Sequence, residues 1–139
     1  MPVIARRPGE KLSESEKITI NLGYVDLGRI DLLVQEGFYS NRSDFIRTAI
    51  RNQLSSQDDA VRRSIGRHTL ELGLCDYNRA DLEGVRATGE RLHIRVVGLV
   101  RIASDVTPKL ALATIESITV LGALQASPEV KAALAGRLH

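Results

Sequence analysis

Polar and apolar residues alternate strictly along Lys17-Ile18-Thr19-Ile20-Asn21-Leu22, the period of a half-buried β-strand. Ile18, Ile20 and Leu22 share one face, and Lys17, Thr19 and Asn21 share the other. No local segment is available to pair with this strand. It is either an exposed edge or half of a ribbon completed by another chain, most simply the same strand of a second copy. From Val25 to Glu36 the period changes, with Leu27, Ile30, Leu33 and Val34 at helical spacing. Gly37 supplies a left-handed stop. Ser40 or Asn41 then caps a second helix whose stripe is Phe45, Ile46, Ala49, Ile50 and Leu54. Arg42, Arg47 and Arg51 fall on or beside its other face.

Together, Lys17-Ile-Thr-Ile-Asn-Leu22, a helix, Gly37-Phe-Tyr-Ser-Asn-Arg-Ser43 and Phe45-Ile-Arg-Thr-Ala-Ile50 resemble a ribbon-helix-helix DNA-binding domain of the Arc/MetJ/CopG type. The resemblance covers residues 17–54. It implies an intertwined dimer whose antiparallel two-stranded ribbon enters the major groove of double-stranded DNA, a groove wide enough to admit it. By position, Lys17, Thr19 and Asn21 are then the base-contacting residues. Ser40, Asn41 and Arg42, at the amino end of the second helix, are the phosphate-contacting ones. Free amides and a partial positive charge at a helix N-terminus suit that role. The sequence departs from the family in Gly23-Tyr24, which replaces the usual proline-acidic start of the first helix, and in the mid-helix Gly28. Physical size agrees with the dimer: so short a segment cannot bury enough surface alone.

On either side of this segment the pattern lapses. Residues 1–16 hold prolines, serines and mixed charge without apolar periodicity and read as a flexible arm. Arg6, Arg7 and Lys11 are its candidates for touching DNA, beside the plainer reading of a solvated tail. Residues 55–67 read as a linker, in which either the second helix runs on or a short helix follows. Its cations are Arg62, Arg63 and Arg67.

Residues 68–139 overlay on themselves at an offset of 24. Ile94-Arg-Val-Val-Gly-Leu-Val100 matches Ile118-Thr-Val-Leu-Gly-Ala-Leu124, and Val106 and Leu110 match Val130 and Leu134. A weaker copy starts at Leu70-Glu-Leu72, where Leu74 takes the glycine's place. Each copy reads as a strand and then a helix. The helix signals are Asn78-Arg-Ala-Asp81 with a stop at Gly89, Thr107-Pro108, and Ser127-Pro-Glu129 opening a helix through Leu138. The expected fold class is α+β: a ribbon-helix-helix head with a small C-terminal α/β domain of strand-helix repeats. That domain is solenoid-like, with a ferredoxin-like βαββαβ sheet as the alternative. It is expected to mediate oligomerisation or regulation, docking through the open ends of the solenoid, with the final helix capping one of them.

Composition narrows the functions. Hydrophobic residues make up 43% of the 139, but aromatics only 4% with no Trp, so aliphatic side chains must form the core. The net charge of +2 rules out a polybasic binder, and the excess lies wholly before residue 68. No apolar run approaches a membrane span, and the N-terminus lacks a signal-peptide pattern. A single cysteine, Cys75, excludes an internal disulfide and suits a cytoplasmic, nucleoid-associated protein. His68, Cys75 and His93 are scattered singles without metal-ligand spacing, so no metal and no cofactor is expected. No phosphate loop, nucleophile elbow or paired carboxylates suggest an enzyme. The reading is therefore a sequence-specific transcriptional regulator, a repressor, partnered by double-stranded DNA and by itself. The alternatives are an antitoxin that represses its own operon, or a DNA-coating partition or architectural protein.

Overall fold

The computed structural model describes residues 15–139, and the chain divides after Gln57 into two compact units. In the first unit, α1 spans Tyr24–Gln35 and α2 spans Arg42–Ser56. Helix α1 closes in a left-handed turn at Gly37 (φ 85°). There the Phe38 amide donates to the Leu33 carbonyl at 3.0 Å and the Gly37 amide to Val34 at 3.1 Å. Helix α2 opens on Asn41, whose side-chain oxygen accepts from the Asp44 amide at 2.8 Å. The Asp44 carboxylate in turn accepts from the Ser40 amide at 2.9 Å, a reciprocal cap that satisfies two otherwise orphaned donors. Between the helices Tyr39 and Phe45 meet edge to face, 5.0 Å between centroids.

The second unit begins with α3, Asp58–His68. The stretch expected as a linker is thus helical almost throughout, since α2 continues to Ser56 before α3 starts. Three strand-helix units follow: β1 Glu71–Tyr77 and α4 Arg79–Thr88, β2 Leu92–Ile102 and α5 Pro108–Thr114, β3 Ile115–Gln125 and α6 Pro128–Leu134. The strands lie in the order β1-β2-β3, all parallel. A ferredoxin-like sheet contains antiparallel pairs and does not describe this one. Each helix starts where the sequence placed a cap: Asn78, Thr107 and Ser127 each accept a first-turn amide through the side chain.

Parallel alternation builds one core on one face. Ile94, Val96, Val100 and Ile102 of β2 and Ile118 of β3 pack with Leu82 of α4, Leu110 and Ala111 of α5, and Val130 and Leu134 of α6. The one buried polar side chain in that layer, Thr114, donates back to the Leu110 carbonyl at 2.8 Å. At the carboxyl end of α5, Arg137 donates to the Leu112 and Ile115 carbonyls at 2.6 and 2.7 Å, and Arg91 to Leu112 at 3.0 Å. Guanidinium groups suit that end of a helix, where unsatisfied carbonyls and partial negative charge collect.

Two expectations need correction. The first repeat is not out of step at its glycine: Gly73 pairs with Gly98, which pairs with Gly122, so all three strands carry it in one row. The β1–β2 register is one residue longer than the step of 24 that relates β2 to β3, which is why the overlay put Leu74 in that slot. The final helix is also shorter than expected. It ends at Leu134, a 3-10 turn covers Ala135–Arg137, and the chain then bridges Leu138 to Ile118 along the edge of β3. Backbone pairing thus adds to the cover that α6 gives on that side, with the His139 amide donating to the Ile118 carbonyl at 2.8 Å.

Candidate nucleic-acid interface

Lys17, Thr19 and Asn21 precede α1 in a segment without regular structure in the single chain, and all three are exposed. So are the apolar residues between them: Ile18 is 72% exposed and Ile20 58%. A strand needs a partner for its amides and carbonyls, and none is supplied to residues 17–22 from within the described chain. The helices behind are also bare. Ile30 is the one buried side chain of α1, and α2 has none. Val25, Leu32, Ile50 and Leu54 are exposed. Two amphipathic helices and an alternating segment therefore present apolar surface that the described residues do not cover.

The residues expected at DNA phosphate cluster at the start of α2, and the structure gives each a job within the fold. The Asn41 side-chain oxygen is the N-cap. The Ser40 amide is held by Asp44. Arg42 reaches across to α1, its Nε and Nη2 each 2.7 Å from one oxygen of the Asp31 carboxylate. This fork holds the Asp31 carboxyl below the usual carboxylate range, the hydrogen bond being the largest cause and the Arg42 charge adding to it. The same pairing raises Arg42. Two of five guanidinium N–H groups serve the fork, which leaves three for another acceptor. The Arg42 and Ser43 amides stand ahead of the first intrahelical bond, from the Phe45 amide to the Asn41 carbonyl. Sequence reasoning missed Asp31 and Asp44, although an acidic residue three places after an Asn cap is a recognisable signal.

The sequence model of the ribbon-helix-helix transcriptional regulator family matches residues 13–131. The chain belongs to this family. Neither a curated protein nor a solved structure matches it. The family match takes in the first two strand-helix units and extends into α6, so the ribbon-helix-helix assignment is not confined to the short N-terminal segment that carries the resemblance. Ribbon-helix-helix regulators bind DNA and typically form dimers, and the family is typically non-enzymatic.

Residues that might suggest other chemistry are dispersed. His68 ends α3 and its carbonyl accepts from Arg95 Nε at 3.0 Å. The His93 Nδ1 and Ser117 Oγ are hydrogen-bonded at 3.0 Å. Cys75 lies within β1 and donates weakly to the Glu71 carboxylate at 3.5 Å. Burial first, and then Glu71, push its thiol up, away from the thiolate that reactivity needs. Among the described residues no group of three or more His, Cys, Asp or Glu is placed to hold a metal ion, and no helix is long and apolar enough to cross a membrane. Arg6, Arg7 and Lys11 lie outside the described residues.

Proposed function

We propose that this ribbon-helix-helix regulator is a sequence-specific repressor that reads the major groove with a ribbon formed by residues 17–22 of two copies. Lys17, Thr19 and Asn21 face the bases in this reading, and Ser40, Asn41 and Arg42 face the phosphates on either side. One observation carries it. The alternating segment, α1 and α2 leave their apolar faces exposed, with Ile30 the single buried side chain of the two helices. Pairing two copies would satisfy the strand amides, bury Ile18, Ile20 and Leu22, and turn the polar side of the ribbon outward together. That side carries an ammonium, a hydroxyl and a carboxamide, groups that hydrogen-bond to base edges.

The remaining 82 residues, Asp58 to His139, form a folded unit with its own core, in which 12 buried side chains cluster. In the repressor reading this unit sets how DNA-bound dimers are arrayed. It also weighs against an antitoxin whose tail folds only on a toxin, because here the tail is already folded.

The test is selection of bound DNA from a random pool by the full chain and by Asn21→Ala. The wild-type chain should enrich one two-fold symmetric site, and the variant should bind with relaxed preference at one position in each half-site. Recovery of the same site at the same stringency by both would defeat the base-reading assignment.

A further inference from the structure

The two edges of the sheet are complementary to each other. Within it, each strand sets its glycine carbonyl against the glycine of the next. A Cβ at Gly98 would collide with the Gly73 carbonyl oxygen, and one at Gly122 with that of Gly98. Glycine is required at both, by space as well as by backbone angle. Gly73 adopts the same conformation (φ 134°, beside 139° and 125°), yet nothing lies within 4 Å of its Cβ position. By the repeat, that position looks away from β2, onto the free edge of β1. At the other end the Gly122 carbonyl looks away from β2, onto the free edge of β3. One edge thus carries an open glycine position and the other a carbonyl of the kind that fills it.

We propose that β3 of one copy pairs in parallel with β1 of another, placing Gly122 opposite Gly73 and continuing the sheet from chain to chain. Backbone polarity fits this register. The Ile118 carbonyl accepts from the His139 amide on the outer side of β3, so by alternation Val120, Gly122 and Leu124 also turn their amides and carbonyls outward. The Tyr77 carbonyl accepts from the Ala103 amide on the β2 side, which leaves Leu72, Leu74 and Asp76 to point off the edge of β1. A parallel ladder joins a residue to the two neighbours of its partner, so Gly122 opposite Gly73 bonds to Leu72 and Leu74. A shift of one residue would set outward groups against inward ones. Two β1 edges meeting each other would supply no glycine carbonyl, because that of Gly73 faces β2.

Side chains suit the pairing as well. Leu72 and Leu121, 70% and 59% exposed, become lateral neighbours between copies, in the row they already share with Val97 within one chain. The bridge from Leu138 to Ile118 does not obstruct, since Glu71, the first residue of β1, would lie opposite Val120. Such a contact is head-to-tail, so it cannot sit on the two-fold axis of a dimer and repeats from copy to copy. It rests on Asp58–His139 alone; that it strings dimers together rests on the dimer reading above.

Disulfide trapping in the full-length chain tests the register. In Cys75→Ser carrying Leu74→Cys and Ala123→Cys, the new thiols lie on strands separated by β2. Two strand spacings, roughly 10 Å, are beyond a disulfide within one chain. Between copies the two positions are opposite each other. Mild oxidation should give a ladder of dimers, trimers and longer species on a denaturing gel, with the 74–123 disulfide recovered by mass spectrometry. Chains with either thiol alone should stay single. Absence of the 74–123 link overturns the proposal, and so does a dimer formed by the Leu74→Cys chain alone, which would mean that β1 pairs with β1. As a second measure, Leu74→Pro removes one outward amide, a change that edge strands tolerate. In sedimentation velocity it should raise the midpoint of assembly beyond the dimer ten-fold or more, at unchanged far-UV circular dichroism. An unchanged midpoint overturns the contact. Wild-type growth in steps of two chains supports the contact and the ribbon dimer together. Growth in steps of one chain keeps the contact and sinks the ribbon dimer. A species that stops at two chains sinks the contact and leaves the ribbon dimer standing.

Discussion

Arg42 holds Asp31 in a two-bonded fork, Nε on one carboxylate oxygen and Nη2 on the other, each at 2.7 Å. The first residue of α2 is thereby fixed to the third turn of α1, and the guanidinium expected at a DNA phosphate is oriented before any DNA arrives. An oriented cation loses less side-chain freedom on binding than a floating one.

Replacing Arg42 by Ala should weaken DNA binding by a similar factor on all sequences. It should also reduce the slope of log affinity against log salt by about 1, the signature of one lost phosphate contact. Titrations at several salt concentrations, on the selected site and on random DNA, measure both. A loss restricted to the selected site would place Arg42 at a base instead.

The same fork makes the α1–α2 pairing acid-sensitive. The folded-state pKa of Asp31 is depressed, chiefly by the Arg42 hydrogen bond. Its contribution to stability is fully present above the unfolded value of about 4 and is lost as pH falls through the lower folded value. Asp31→Asn should therefore be less stable than wild type at pH 7, with the gap narrowing toward pH 3. Denaturant unfolding at the two pH values checks this. The pair is exposed, so added salt should shrink the gap at pH 7 as well.

The glycine row constrains the sheet more than any side chain in it. Gly98 has φ 139° and Gly122 φ 125°; a Cβ at Gly98 would collide with the Gly73 carbonyl oxygen, and one at Gly122 with the Gly98 carbonyl oxygen. Gly98→Ala meets a backbone region reserved for glycine and a backbone atom that cannot step aside, and should cost roughly 2–5 kcal/mol. Gly84, within α4, has open space at its Cβ position. Gly84→Ala should instead stabilise by about 0.5–1 kcal/mol. Thermal or denaturant melts of the two variants should move in opposite directions.

Helix α3 ends as α1 does, with the Leu70 amide donating to Ile65 at 3.0 Å and the Thr69 amide reaching toward Gly66 at 3.4 Å. The left-handed position is Thr69 (φ 55°) where α1 has Gly37. A β-branched residue is strained there. Thr69→Gly should raise stability by about 1 kcal/mol, read as a higher denaturant midpoint at unchanged slope.

Much of this organisation is legible in the residues. The cap signals at Asn78, Thr107 and Ser127 are local, since a side-chain oxygen reaches an amide three residues on whatever the rest of the chain does. Three parallel strand-helix units follow from self-similarity, because repeats bury a continuous core by stacking. The β1–β2 step was misread because the overlay was anchored on Leu70-Glu-Leu72, and one added residue in the connection shifts the pairing without changing any periodicity. The partner of Arg42 was missed for a related reason, whereas Asp44, the partner of the Ser40 amide, is local and was open to being read. Asp31 is 11 residues from Arg42, and only the packing of α1 on α2 brings them together.

The sequence by itself determined the alternating segment, the two amphipathic helices behind it, the family and the repeat, all of which rest on periodicity and on contacts a few residues long. Tertiary structure alone decided which glycines share a row, that Arg42 is engaged by Asp31, and that the exposed Leu72 and Leu121 stand at opposite edges of one sheet. Each of these depends on the registration of segments far apart in the chain, which hydrophobic patterning constrains to a face but not to a partner.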